Sequence, residues 1–155
     1  MLTRHFITAA ISATLLMAMP IITSAHDSTK NEAKNKAVVL AFLDTMVNQR
    51  NVDKALDLYV GDEYIQHNPG MPTGKEASRQ GFKAMMEQMK DASMSIKRVI
   101  AEGDLVVTHA HGLRYKGDRG IALMDMFRLE KGKIVEHWDV IQEIPEVTKN
   151  SNTMF

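Results

Sequence analysis

IALMDMFRL at residues 121–129, EKG at 130–132 and KIVEHWDVIQE at Lys133–Glu143 make up the stretch from which the fold can be read. Both runs are rich in β-branched and aromatic residues, and a Gly-containing turn separates them, so they predict a β-hairpin. Side chains alternate faces along a strand. Val135, His137, Asp139 and Ile141 therefore fall on one face, and Ile134, Glu136, Trp138 and Val140 on the other. A His and an Asp two residues apart among apolar neighbours read as a polar pair in an apolar pocket. The turn decides how the strands pair. A two-residue type I′ turn requires φ > 0 at Lys131, which Lys tolerates poorly. A type I turn closed by a bulge at Gly132 avoids that strain. It would place Asp125 opposite His137 and Leu123 opposite Asp139, with Asp125, His137 and Asp139 sharing a face with Ile121, Phe127 and Ile141. The type I′ register would instead turn Asp125 toward the Trp138 face.

Working outward, the preceding segment reads as two more antiparallel strands. Residues 94–102 and 105–116 are joined at Gly103-Asp104, and Gly117-Asp118-Arg119-Gly120 leads into the hairpin. In the second of these strands Leu105, Val107, His109, His111, Leu113 and Tyr115 share a face. Upstream the periodicity becomes helical. Val39, Phe42, Leu43, Met46 and Val47 follow the i, i+3, i+4, i+7, i+8 pattern of a helix with one buried side. Asn51 is placed to cap a second, shorter helix whose apolar side is Ala55, Leu56, Tyr59 and Val60. Tyr64 and Ile65 suit a short strand ended by Asn68-Pro69-Gly70, with His67 where the strand stops. Thr73-Gly74-Lys75-Glu76 has the pattern of a capping box, and Phe82, Met85, Met86 and Met89 form the buried stripe of a third helix. The predicted fold class is α+β: three helices followed by a curved, mostly antiparallel sheet, in one domain.

The 155 residues are 45% hydrophobic and 25% charged, ordinary for one globular domain. The start departs from this. Arg4 and His5 precede an apolar run over residues 6–22, followed by Thr23-Ser24-Ala25, the order of a secretory signal. The expected division is a signal peptide over 1–25, a flexible leader over 26–35 and the domain over 36–155. Localisation is expected to be exported, in a periplasm, with no membrane attachment after cleavage. Charge is balanced, with 19 Lys+Arg against 19 Asp+Glu, so there is no basic excess to suggest nucleic acid. Cysteine is absent, which removes disulfides and a thiol nucleophile.

Four segments carry a resemblance: Tyr64-Ile65-Gln66-His67-Asn68-Pro69, Gly103-Asp104-Leu105-Val106-Val107, Asp125-Met126-Phe127-Arg128 and Gly132-Lys133-Ile134-Val135-Glu136-His137-Trp138-Asp139. Together with the element order they resemble SnoaL-like proteins of the nuclear transport factor 2-like superfamily, in particular the polyketide-cyclase and predicted aldol-condensation branch. The resemblance covers residues 36–155. It implies a cone of three helices on a curved sheet. It also implies an acid/base Asp near the end of a late strand, which by position is Asp139, and an assisting His, for which His109 and His111 match. Sheet-mediated homodimers are frequent in that fold family, and Trp138 with Met124 is the expected pairing surface.

Carbon-acid chemistry needs a base and a donor for the developing enolate oxygen, and an apolar cavity makes a carboxylate a better base. Asp139 is thus the expected base, assisted by His109 or His111. Tyr64, His67, Asp125, Phe127 and His137 are expected to bind the substrate, a small apolar or carbonyl-containing molecule. The expected function is acid/base catalysis of aldol, cyclase or isomerase type on an enolisable carbonyl compound. The alternative is an exported binding module without turnover. A metal held by His109 and His111 with His67 or Asp139 is a third arrangement. The His spacing is too common by chance to carry it, so neither metal nor cofactor is expected.

Overall fold

The computed structural model describes residues 22–155, with side chains from residue 28 onward. The basic start and nearly all of the apolar run of the expected export signal lie outside the described residues. No helix among those described is long and apolar enough to cross a membrane. The elements in order are α1 (Ile22–Leu43), a π-helical turn (Asp44–Asn48), α2 (Val52–Tyr59), β1 (Val60–Gln66), α3 (Lys75–Gln88), β2 (Ser93–Glu102), β3 (Leu105–Leu113), β4 (Ile121–Glu130) and β5 (Lys133–Glu143). The sheet has the order β1-β5-β4-β3-β2, with β1 parallel to β5 and every other pair antiparallel.

The hairpin forms where expected but by a different route. Lys131 (φ 50°) and Gly132 (φ 75°) both adopt left-handed backbone, so the turn has the two-residue type I′ form and Glu130 pairs with Lys133. The strain at Lys131, of order ~1–2 kcal/mol, is offset because a type I′ turn matches the twist of the strands it joins. The bulge expected at Gly132 sits in β5 instead. Leu129 pairs with Ile134 and Arg128 with Glu136, which leaves Val135 as the extra residue. The bulge resets the alternation. Ile134, expected on the outer face, is fully buried, and His137 follows it on the same side. Asp125 pairs with Asp139, and Phe127 with His137. The two one-residue shifts add to a register change of two, which restores the alternation, so Asp125, His137 and Asp139 do share the inner face.

Three upstream details also differ. Residues 26–35, read as a flexible leader, belong to α1. Glu32 accepts from the Gly103 N–H (3.1 Å) and Asn35 donates to the Gly103 carbonyl (3.3 Å), tying the helix to the β2–β3 turn across the fold. Val60 leaves α2 for β1, while Asn51 caps α2 as expected, accepting from the Lys54 N–H at 3.0 Å. The Thr73 capping box does not form. Gly74 is the N-cap of α3, and Thr73 turns away to accept from the Gln66 N–H and bond the Tyr64 carbonyl. That loop is thereby fastened to the end of β1.

The core lies between the helices and the inner face of the sheet. Phe42 of α1 meets Phe127 of β4 edge-on with ring centroids 5.9 Å apart, and Val39, Leu56, Val106 and Ile134 fill the layer around them. Arg79 of α3 is clamped by Asp53 and Asp57 of α2 and by Glu76, which joins the two helices. Toward the far end of the sheet the inner residues of β3 become small: Thr108, Ala110 and Gly112.

Candidate functional site

A cavity of about 160 Å³ opens between α1, α3 and the inner face of β3–β5. Its walls are mostly apolar, with Phe42, Leu123, Phe127 and Ile141 opposite the methionines of α3, Met85, Met86 and Met89. Tyr64, Gln66, Asn68, Asp125, His137 and Asp139 form a polar patch in that lining. The expected Met stripe of α3 therefore both packs the core and lines the cavity.

The patch is organised by the parallel pairing of β1 with β5, which sets Gln66 beside His137. Gln66 Oε1 accepts from the Asn68 backbone N–H (2.9 Å), so its orientation is set by a group that can only donate. The contact of the same oxygen with His137 Nδ1 (3.0 Å) then requires the ring proton on Nδ1. His137 Nε2 lies 3.2 Å from Asp125 Oδ1, and Thr108 Oγ1 donates to Asp125 Oδ2 at 3.3 Å. Asp125 is 5% exposed and His137 7%. Asn68 is oriented in the same way: its Oδ1 accepts from the Gly70 N–H (2.7 Å), and its Nδ2 donates to Asp139 Oδ2 at 2.6 Å. The Tyr64 hydroxyl accepts from Gln66 Nε2 (3.2 Å), which leaves its own proton to be donated into the cavity. Burial pushes the Tyr64 phenol well above its usual range, and the charges of Asp125 and Asp139 add to this, so it stays a neutral donor. One ligand atom each from Asp125, His137 and Asp139 lie within 4.8 Å of one another.

Five expected site residues thus line the cavity: Asp139, Asp125, His137, Tyr64 and Phe127. Three do not. His109 and His111 are on the outer face, because the buried side of β3 is Val106, Thr108 and Ala110. Arg98 donates to His109 Nδ1 at 3.3 Å, His111 Nε2 donates to the Arg119 carbonyl at 3.0 Å, and Phe155 packs near both rings. Neither His reaches Asp139, so the expected catalytic pairing is not made, nor is the His109–His111 metal arrangement. His67 is also outside. Its Nε2 bonds Glu136 (2.9 Å) and its ring stacks on Trp138 at 4.7 Å. First His67 and then Arg128 hold the Glu136 carboxyl below its usual range. Trp138 is covered by His67, while Met124 beside it is 45% exposed.

Gln66, Asn68 and Thr108 were not singled out from sequence. Alternation from Tyr64 places Gln66 inward and His67 outward, so part of this was available. Amides and hydroxyls carry little chemistry of their own, and their role appears only once a partner is in place.

A family model described as a SnoaL-like domain matches residues 39–137. Among solved structures, TsrD from Streptomyces laurentii is 23% identical with a TM-score of 0.58, over 70% of this chain and 88% of that one. A protein described as a polyketide cyclase from Acidithiobacillus ferrooxidans is 19% identical with a TM-score of 0.62, over 70% and 87%. An epoxide hydrolase of M. tuberculosis, described as LEH-like, is 20% identical with a TM-score of 0.58, over 72% and 85%. No curated protein matches. At these identities the structures share the fold with this chain.

Proposed function

The chain belongs to the SnoaL-like domain family, and we propose that it is an acid/base catalyst of aldol, cyclase or isomerase type for a small enolisable carbonyl compound held in this cavity. The observation that carries the reading is the position of Asp139 in the cavity lining, oriented by Asn68, with the Tyr64 hydroxyl in the same polar patch. Asp139 removes the proton α to the carbonyl, and the C–H electron pair moves into the carbonyl group to give an enolate. The Tyr64 O–H donates to the enolate oxygen. Returning the proton to another carbon gives isomerisation. Attack of the enolate carbon on a second carbonyl gives an aldol bond, and Asp139 then releases its proton to the new alkoxide.

Volume limits the substrate. A cavity of ~150 Å³ accepts benzene, and this one is about 160 Å³. The substrate class is therefore a compound with about one ring, its carbonyl at the polar patch and its apolar part against the methionines. The test is α-carbon hydrogen–deuterium exchange in D₂O, followed by NMR across a panel of such carbonyl compounds. Exchange that requires Asp139 supports the reading. Equal exchange with wild type and Asp139→Asn would remove Asp139 from the mechanism.

One observation favours a second reading, a small-molecule binding module. Every buried side-chain nitrogen and oxygen among the described residues already has a partner. Such a module would bind the same compounds with no exchange in either protein.

A further inference from the structure

We propose that Asp125, His137 and Asp139 form a binding site for one divalent first-row transition-metal cation. The proposal stands apart from the acid/base reading and competes with it, because a cation-bound Asp139 is not a free base, and it reverses the expectation that no metal is used.

The first argument is the His137 tautomer. Because Gln66 Oε1 is fixed by the Asn68 N–H, His137 carries a proton on Nδ1. In the neutral ring its Nε2 lone pair then faces Asp125 Oδ1 at 3.2 Å. A lone pair facing a carboxylate repels it unless a proton or a cation lies between them. An imidazole whose far nitrogen donates to a fixed oxygen is also how a metal-bound His is commonly held.

The second argument is that all three ligands are oriented from outside the cluster. Gln66 holds His137, Thr108 holds Asp125 and Asn68 holds Asp139. Outer partners of this kind fix ligand geometry at metal centres. The Nε2–Oδ1 separation of 3.2 Å suits two ligands on one ion at ~2.0–2.2 Å each. The three ligand atoms lie within 4.8 Å of one another, and Asp139, the partly buried member, closes the remaining gap by rotating its carboxylate.

The third argument is charge. Two carboxylates enter a cavity whose walls are mostly apolar. The guanidinium in the lining, that of Arg114, is already held by Asp118 (2.8 Å) and Glu143 (2.7 Å). A divalent cation with a neutral His neutralises both carboxylates, whereas a single shared proton leaves a negative charge facing apolar walls. One imidazole nitrogen, two carboxylate oxygens and no sulfur suit zinc, iron or manganese better than copper(I).

The test uses zinc and cobalt ions alone. Protein stripped with a chelator is titrated with Zn²⁺ by calorimetry, and Co²⁺ binding is followed by visible absorption. Wild type is expected to bind one equivalent of either ion and to melt at a higher temperature when loaded. His137→Gln and Asp139→Asn are expected to weaken binding by at least ~10-fold. Gln66→Leu, which removes only an outer partner, is expected to weaken it by ~10–100-fold. The double variant His109→Ala/His111→Ala serves as the outer-face control and should bind like wild type. Should His137→Gln fail to fold, Asp139→Asn, at the partly buried end of the cluster, decides the matter. No binding up to millimolar zinc overturns the proposal, as does binding that survives Asp139→Asn or is lost in the outer-face control. Exchange at the α-carbon in chelator-treated protein that binds no zinc would leave the acid/base reading standing and remove the metal site.

Discussion

The two faces of the sheet use the same residue types to opposite ends. On the outer face His67 stacks on Trp138 and bonds Glu136, His109 accepts from Arg98, and His111 donates to a turn carbonyl. His67 is exposed and His109 and His111 are half-buried, so solvent screens their contacts and each has small net worth. On the inner face His137 is 7% exposed, and its two nitrogens are committed to an amide oxygen and a carboxylate. There each polar contact is electrostatically stronger, and each lost partner costs more. What separates a buried histidine with both nitrogens engaged from a screened one in this chain is the side of the sheet it occupies. Residue identity and spacing do not make that distinction.

The comparison breaks most visibly in turnover. If the acid/base reading holds, Asp139→Asn should lower the α-exchange rate by ~10²–10⁴-fold, while His109→Ala, on the opposite face, should leave it within ~2-fold. An equal loss in both variants would abolish the distinction between the faces. Stability gives the next largest effect. His137→Ala removes one partner of a buried contact and should cost ~3 kcal/mol, against ~0–1 kcal/mol for His67→Ala at the surface. Urea unfolding of the two variants beside wild type checks this.

The hairpin turn, which decides which side chains share a face, gives a smaller effect of opposite sign. Lys131→Asn creates the Asn-Gly pair that type I′ turns prefer, and should raise stability by ~0.5–1 kcal/mol in the same assay. A loss instead would argue against left-handed backbone at residue 131.

The smallest effect contrasts two buried carboxylates. Asp125 is held by His137 and Thr108. The Asp118 side chain, 3% exposed, is held by the Arg114 guanidinium and the Gly120 N–H, which keep its carboxyl well below the usual range. A depressed pKa contributes stability that is fully present above the unfolded value of ~3.9 and is lost as pH falls through the lower folded value. The stability gap between wild type and Asp118→Asn should therefore be constant near neutrality and shrink below pH ~4. Thermal melts across that range measure it, and a gap that does not change with pH would count against the Arg114 pairing.

Much of the fold was legible because it rests on local patterns. Apolar spacing located α1 and α3, the Asn51 cap located the start of α2, and alternation with Gly turns located the strands of the sheet. Five cavity residues could also be reached, since Tyr64, Asp125, Phe127, His137 and Asp139 all lie on faces that alternation can trace. The leader was misread because the contacts that tie it down are 71 and 68 residues away in sequence. The Thr73 capping box was misread because a residue with two possible partners takes the one that tertiary geometry presents.

By itself, the sequence determined which side chains share a face wherever a strand runs without a bulge, because alternation and helical period are properties of the backbone. It could not determine which of two equivalent faces turns inward on β3, and so it offered His109 and His111 where the structure buries Thr108 and Ala110. That choice is a matter of volume: the helices pack against the side whose small residues fit, and the larger imidazoles are left outside. Nor could it place the bulge at Val135, since two registers one residue apart satisfy the same local rules. The parallel pairing of β1 with β5 was likewise decided only in the folded molecule. It brings Gln66 and Asn68, distant in sequence, against His137 and Asp139 and so sets the hydrogen bonding of the site.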